Sequence, residues 1–282
     1  PSATQSIVAA TQTPISRVFF AALSGAAVAA LRSNPLVISI AYDRLIGGVP
    51  NAEAAPTASP TARQNVVAQT PSQEITGATN LHNADITGSG TVVAVIDTGI
   101  DAQHPLFAGK LLPGFDFVDR DGDPSEVGTP HIGAYGHGTH VAGIIAMVAP
   151  EAKIMPIRIL DQDGVGDIWR LANALIFAAN PDGDNSTDDG ADIINLSLGT
   201  TQQAPLIRKI LDAITNSGSS PDDPDLPMIV HPGILVVASA GNTGNNTRIY
   251  PAAENDLHGL IAVGASTMGD TAASFSTRGS WV

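Results

Sequence analysis

Three side chains in this chain carry groups that could move or stabilise charge together: the carboxylate of Asp97, the imidazole of His137 and the amide of Asn242. Asp97 ends the apolar run Thr91-Val-Val-Ala-Val-Ile, where an ionised group is costly unless something pairs with it. His137 lies in Gly136-His-Gly-Thr-His140-Val-Ala-Gly143, ahead of a helix of small residues. The positive end of that helix's dipole disfavours imidazolium and keeps the ring neutral, as a general base requires. The alternative is a loop histidine whose glycines merely make a turn. A zinc site at His137 and His140 lacks the Glu of H-E-x-x-H, so His140 reads as a structural hydrogen-bonder. Asn242, in Ala238-Ser239-Ala240-Gly241-Asn242, can donate to a developing oxyanion if its loop is rigid; otherwise it is an ordinary Gly-Asn turn. Asn195-Leu-Ser197-Leu198-Gly199 and Gly164-Val165-Gly166 offer edges to which an extended peptide could add as a strand.

The elements that must position these groups follow from hydrophobic patterning. Val92 to Ile96 shows no alternation, the mark of a strand buried on both faces in a parallel sheet. Asp97 then stands at the carboxyl edge, where open α/β folds keep their sites. Further strands are expected at 91–96, 153–160, 192–198, 234–239 and 260–264, and helices at 138–148, 167–179 and 203–216. That alternation implies right-handed crossovers and an α/β fold with a mainly parallel sheet.

Upstream, residues 1–46 read as a small α+β unit: a strand at Arg17–Phe20, a helix capped by Ser24 through Arg32, and a strand at Val37–Tyr42. It is too small to be stable alone. Residues 47–74, rich in Pro, Ala, Thr and Gln, read as a flexible, cleavable linker to a domain at 75–282.

A formal charge of −14 excludes a nucleic-acid backbone as partner, which needs a basic face. The absence of cysteine excludes disulfides and thiolate chemistry. No stretch reaches the length of a membrane span; Phe19–Leu31 is broken by Ser24-Gly25, and no membrane partner is expected. The chain begins at Pro1 without a charged-then-apolar leader, so any signal peptide is expected to have been removed or omitted. The loops Asp119–Asp123 and Asp182–Asp189 invite a calcium reading. In the first, Pro124 and Pro130 occupy the glycine and twelfth positions of an EF-hand, and in the second the twelfth is Ile193. No metal-ligating set is assigned.

In their order along the chain, Val-Ile-Asp97-Thr-Gly, Gly-His137-Gly-Thr-His-Val-Ala-Gly, Ser197-Leu-Gly, Ala-Gly-Asn242, Tyr250-Pro-Ala and Ala273-Ser-Phe-Ser-Thr-Arg-Gly279 resemble the subtilisin-like serine peptidases, or subtilases. The likeness covers about residues 75–282, and Val18 to Arg44 resembles the latter part of the family's I9-type inhibitory propeptide. The resemblance implies a three-layer α/β fold with helices on both faces of the sheet and serine endopeptidase activity on polypeptide substrates. It gives Asp97 the role of orienting His137, His137 that of base and acid, and Asn242 that of an oxyanion donor. Val165-Gly166 and Ser197-Leu198-Gly199 would flank the substrate backbone, with Ser239-Ala240-Gly241 lining the pocket before the scissile bond. It further implies the chain's own propeptide as intramolecular inhibitor and an extracellular location. The chemistry needs no cofactor. Structural calcium stays open from the family's habit, although Leu106 replaces the family's Asp after Asp101-Ala-Gln-His-Pro105, and the acidic loops read as solvated.

One departure matters. The family's nucleophile belongs to a Gly-Thr-Ser-Met-Ala-type segment, which this sequence does not contain. Ser274, Ser276 and Ser280 belong to the segment before it and are not assigned that role. The expectation is a chain truncated at both ends and inactive as written. The competing readings are a non-catalytic subtilisin-like binding domain, an aspartic peptidase and a nucleotide-binding module. The aspartic reading needs a second Asp-Thr-Gly, and the nucleotide reading needs a Gly-rich loop after the first strand.

Overall fold

A computed structural model of the chain describes residues 11–12, 19–20, 25–32, 45–48, 76–130, 132–184, 187–216 and 233–282. The expected strand 37–42, the Ser24 cap, most of the expected linker (49–74) and the stretch 218–232 lie outside the described residues. In the first part, β1 (Thr11–Gln12) pairs antiparallel with β2 (Phe19–Phe20), and α1 spans Gly25–Arg32. A further strand, β3 (Leu45–Gly48), crosses the boundary expected at residue 46, so Gly47 and Gly48 belong to a strand rather than to a linker. What makes it a strand is its pairing on both sides with the larger domain.

That domain runs α2 (Ala78–His82), β4 (Val92–Asp97), β5 (Phe115–Asp116), α3 (His137–Val148), β6 (Lys153–Arg158), β7 (Val165–Asp167), α4 (Ile168–Ala179), β8 (Ile193–Leu196), β9 (Leu198–Gly199), α5 (Pro205–Thr215), β10 (Leu235–Ser239) and β11 (Leu260–Val263). Six strands form one sheet in the order β11-β10-β8-β4-β6-β5, every neighbouring pair parallel. The strand expected at 192–198 is broken at Ser197. β8 stays in the main sheet, while β9 leaves to form a second sheet, β7-β3-β9. β5 is only two residues long, too short for periodicity to reveal.

Alternation along β4 sorts its side chains between two layers. Val95, with Ile154 of β6, packs on Ala142 and Ala146 of α3. Ala94 and Ile96, with Ile157, Ile194 and Leu196, pack on the other face, against Leu171 and Leu175 of α4 and Ile207 and Leu211 of α5. Each buried Val, Ile or Leu among them contributes about 1.5–3 kcal/mol. Helices therefore cover both faces, as a parallel sheet requires. α4 starts where the Asp167 carboxylate accepts from Arg170 N at 2.7 Å, and α5 starts at Pro205, whose missing N–H costs nothing there. By the same alternation Asp97 falls on the Val95 side, the side of α3.

Candidate active site

His137 opens α3, and its Nδ1 lies 2.6 Å from Asp97 Oδ1. Asp97 is fully buried, whereas the His137 side chain is about a fifth exposed. Two features bring them together. Gly136 caps the helix at φ 89°, a left-handed conformation that a side chain would strain. Gly138 lies so close to the strand end that a Cβ there would stand 2.2 Å from Gly99 O and 3.1 Å from Asp97 Cβ. Thr98 N donates to the same Asp97 oxygen at 2.7 Å. The second oxygen, Oδ2, is buried without a hydrogen bond among the described residues. An ionised carboxylate only accepts, so Nδ1 carries the proton and Nε2 presents its lone pair. Nε2 has no hydrogen bond among the described residues. A buried acid thus holds one ring nitrogen and leaves the other free to take a proton.

Burial pushes the pKa of His137 down, but the Asp97 hydrogen bond, the Asp97 charge and the Glu126 charge together raise it above the usual histidine value. This corrects the expectation of a ring held neutral by its place on the helix: the two carboxylates beside it favour the protonated form. The linkage has a definite sign. Folding raises the pKa, so the stabilisation is full below the unfolded value and is lost as pH rises through the folded one. The thermal-midpoint gap between the chain and His137→Ala should therefore be widest below about pH 6.5 and narrow above it. A gap that is flat with pH would contradict the raised pKa.

Glu126 is the site residue that sequence reasoning missed. Its Oε1 accepts from Thr98 Oγ1, Thr139 N and Thr139 Oγ1, and its Oε2 from Gly136 N, each at 3.1 Å. It comes from an irregular loop after an acidic run, with no motif to mark it. His140, expected to make a structural hydrogen bond, is exposed, and its ring has no hydrogen bond among the described residues. With Ile144 and Val148 it forms the outward stripe of α3 at i, i+4 and i+8.

Ile96, Leu196 and Ala238 stand side by side in β4, β8 and β10, so Asp97, Ser197 and Ser239 leave the sheet at one level. Asn242 follows in a loop pinned by Thr277: Gly241 O accepts from Thr277 N at 2.9 Å, and Thr243 N donates to Thr277 Oγ1 at 3.0 Å. The Asn242 amide has no hydrogen bond among the described residues. Ala240 is buried, its N donating to Val263 O at 2.9 Å, and Ser239 Oγ accepts from Gly241 N at 3.2 Å. Ser197 Oγ accepts from Asn195 Nδ2 at 3.0 Å.

The two expected edges are filled by β3. Ile46 stands opposite Gly166, Gly47 opposite both Val165 and Gly199, and Gly48 opposite Leu198, all antiparallel. Ile46 is 2% exposed and seated among Ile168, Leu171, Ile207 and Tyr250. Ser276 Oγ is engaged with Ala265 N and Thr277 O.

In the first acidic loop, Asp116 Oδ1 accepts from Val118 N and Asp119 N, Asp121 from Asp123 N, and Asp123 from Ser125 N. Arg158 bridges Asp116 and Asp119. Among the described residues no three His, Asp or Glu side chains are grouped to hold a metal, and no helix is long and apolar enough to cross a membrane.

Comparison with known proteins points one way. A profile of the subtilase family, peptidase S8, matches residues 88–282. The thermophilic serine proteinase of Bacillus sp. (strain AK1) is 39% identical over 204 residues, 69% of this chain and 43% of that protein. Thermitase of Thermoactinomyces vulgaris is 37% identical over 205 residues, 69% of this chain and 62% of its own. Subtilisin BL of Lederbergia lenta is 34% identical over 207 residues, 70% of this chain and 64% of its own. The chain thus spans less than two thirds of the length of each of these relatives.

Proposed function

Since this chain belongs to the subtilase family, we propose that it supplies the acid, the base and the oxyanion donor of a serine endopeptidase. The observation that carries the reading is the 2.6 Å contact between buried Asp97 and His137 Nδ1, with Nε2 left free. Asp97 fixes the tautomer and stabilises the imidazolium that forms. Nε2 takes the proton of the nucleophilic hydroxyl as it attacks the peptide carbonyl, then delivers it to the leaving amine. Asn242 donates its amide N–H to the oxyanion of the tetrahedral intermediate from its pinned loop. Val165-Gly166 and Ser197-Leu198-Gly199 hold the substrate backbone as an added strand, and Ser239-Ala240-Gly241 border the side chain before the scissile bond. The hydroxyl comes from a Gly-Thr-Ser-Met-Ala-type segment, which residues 1–282 do not contain. Joined to such a segment, the chain should cleave an extended peptide, and a serine-directed fluorophosphonate should block cleavage. Cleavage that resists the reagent would overturn the reading.

The segment ending in β3 is proposed as the chain's own inhibitory propeptide, lying where a substrate would lie. Its support is the burial of Ile46 between the two edges. A protein kept latent in this way fits export before activation, so an extracellular location belongs to the same proposal. Ile46→Asp removes about 1.5–3 kcal/mol of apolar burial, so the joined enzyme should be about ten- to a hundredfold more active before processing. Latency unchanged by that substitution would remove β3 as the inhibitor.

A further inference from the structure

We propose that Glu126 is a positioning residue, whose carboxylate locks the strand end carrying Asp97 to the helix start carrying His137; the proposal rests on the peptidase reading above. α3 begins at a glycine with no side chain to cap it; His137 N finds Ala134 O at 3.0 Å, and the neighbouring N–H groups of the first turn need acceptors from outside the helix. Glu126 caps it from outside, taking Gly136 N on one oxygen and Thr139 N on the other. A negative group there is also favoured by the helix dipole.

The two threonine hydroxyls show why a carboxylate is needed. Each hydroxyl has one proton to give and lone pairs to accept with. Thr98, next to Asp97, gives its proton to Glu126 and accepts from Gly138 N at 2.9 Å. Thr139, in the helix, gives its proton to Glu126 and accepts from Asp101 N at 2.8 Å. The strand side thus receives a bond from the helix, and the helix receives one from the segment after the strand. Both cross-ties depend on an acceptor-only group that takes both hydroxyl protons. An amide oxygen could replace one carboxylate oxygen, but its –NH₂ would face the Gly136 N–H, donor against donor.

Glu126 also acts on His137 through its charge, in the same direction as Asp97. Of the other titratable groups on the flanking elements, His140 lies on the exposed side of α3, and the Asp101 carboxylate is turned to Gln103 N. Glu126 therefore does two jobs for one ring, setting its position and supporting its protonated form.

The test is an NMR titration of the His137 ring in the 282-residue chain, with amide exchange followed at the start of α3. Glu126→Gln should move the His137 midpoint to lower pH and speed exchange at Gly136 and Thr139 by about tenfold or more. Glu126→Asp, which keeps the charge, should restore part of the midpoint. An unmoved midpoint with unchanged exchange overturns the proposal. Thr98→Val keeps the charge and removes one cross-tie, and should speed exchange at Gly138; unchanged exchange there counts against the lock even if Glu126→Gln fails to fold. Asp97→Asn separates the two ideas. If it leaves the His137 midpoint unmoved, the peptidase reading fails; if it alone moves the midpoint, only the role of Glu126 fails. In the joined enzyme, Glu126→Gln should lower kcat about ten- to a hundredfold with KM unchanged, the cost of a misplaced base.

Discussion

His137→Ala is expected to lower kcat on a peptide substrate by a factor on the order of 10⁶, the size measured for this change in subtilisin, which belongs to the same family. The physical reason lies in the pair. Without the imidazole, the attacking hydroxyl has no acceptor for its proton and the leaving amine no donor, while Asp97 cannot substitute because it is buried behind the ring. On the peptidase reading proposed above, Asn242 and the two sheet edges would still bind and polarise the substrate, so some catalysis above water should persist. The measurement is kcat under saturating peptide for the chain joined to a nucleophile segment. A loss smaller than about a hundredfold, the low end for a general base, would mean that another group takes the proton. Stability should also fall, because one oxygen of Asp97 is already unpaired and the other keeps only Thr98 N. Removing one partner of a buried pair costs about 3–5 kcal/mol at most.

Gly138→Ala is expected to damage both folding and catalysis, although it adds a single methyl group. That methyl would stand 2.2 Å from Gly99 O, a backbone atom that cannot swing aside. The helix must lift from the strand end, at a cost of about 1–3 kcal/mol or more. Since His137 rides on the same turn, its contact with Asp97 opens, and a displacement of about an ångström costs on the order of a hundredfold in rate. Gly143→Ala is the control. Its Cβ would meet only Leu106 Cδ2, at an ordinary 3.6 Å, and replacing a helical glycine should add up to about 1 kcal/mol of stability. Thermal unfolding and kcat of the two variants make the comparison, and equal behaviour would sink the close-approach argument.

Much of this was legible in the sequence because the decisive signals are local. Val92–Ile96 announces a buried central strand, and the small residues after Gly136 announce a helix that packs closely. Strand and helix bounds agree with the pattern to within two residues or so at most elements. What escaped depends on groups far apart in sequence. Glu126 gains its role only when the loop folds back on the start of α3. The break at Ser197 is a change of sheet, which an apolar run does not record. β3 is a strand because two edges receive it, not because Leu-Ile-Gly-Gly favours extension, so composition placed a boundary through it. The charge preference of His137 was misread in part for the same reason: the dipole and the pairing with Asp97 were legible in the sequence, the charge of Glu126 only in three dimensions.

The alternation along β4 has a consequence for which length changes the chain can tolerate. Asp97 and His137 are 40 residues apart, yet their separation is set by the packing of α3 on one face of the sheet and by the contacts of Glu126, not by the length of chain between them. Lengthening or shortening the loops between them, clear of the contacts made by Glu126, leaves the acid and base in register. Deleting one residue between Val92 and Ile96 is different, because it turns every later side chain of the strand to the opposite face. Asp97 would then point among Leu171 and Leu175 of α4, a carboxylate in an aliphatic layer with its histidine on the far side of the sheet. Variation in length is thus permitted across the connecting loops and forbidden in a five-residue run, a division set by the parity of a strand.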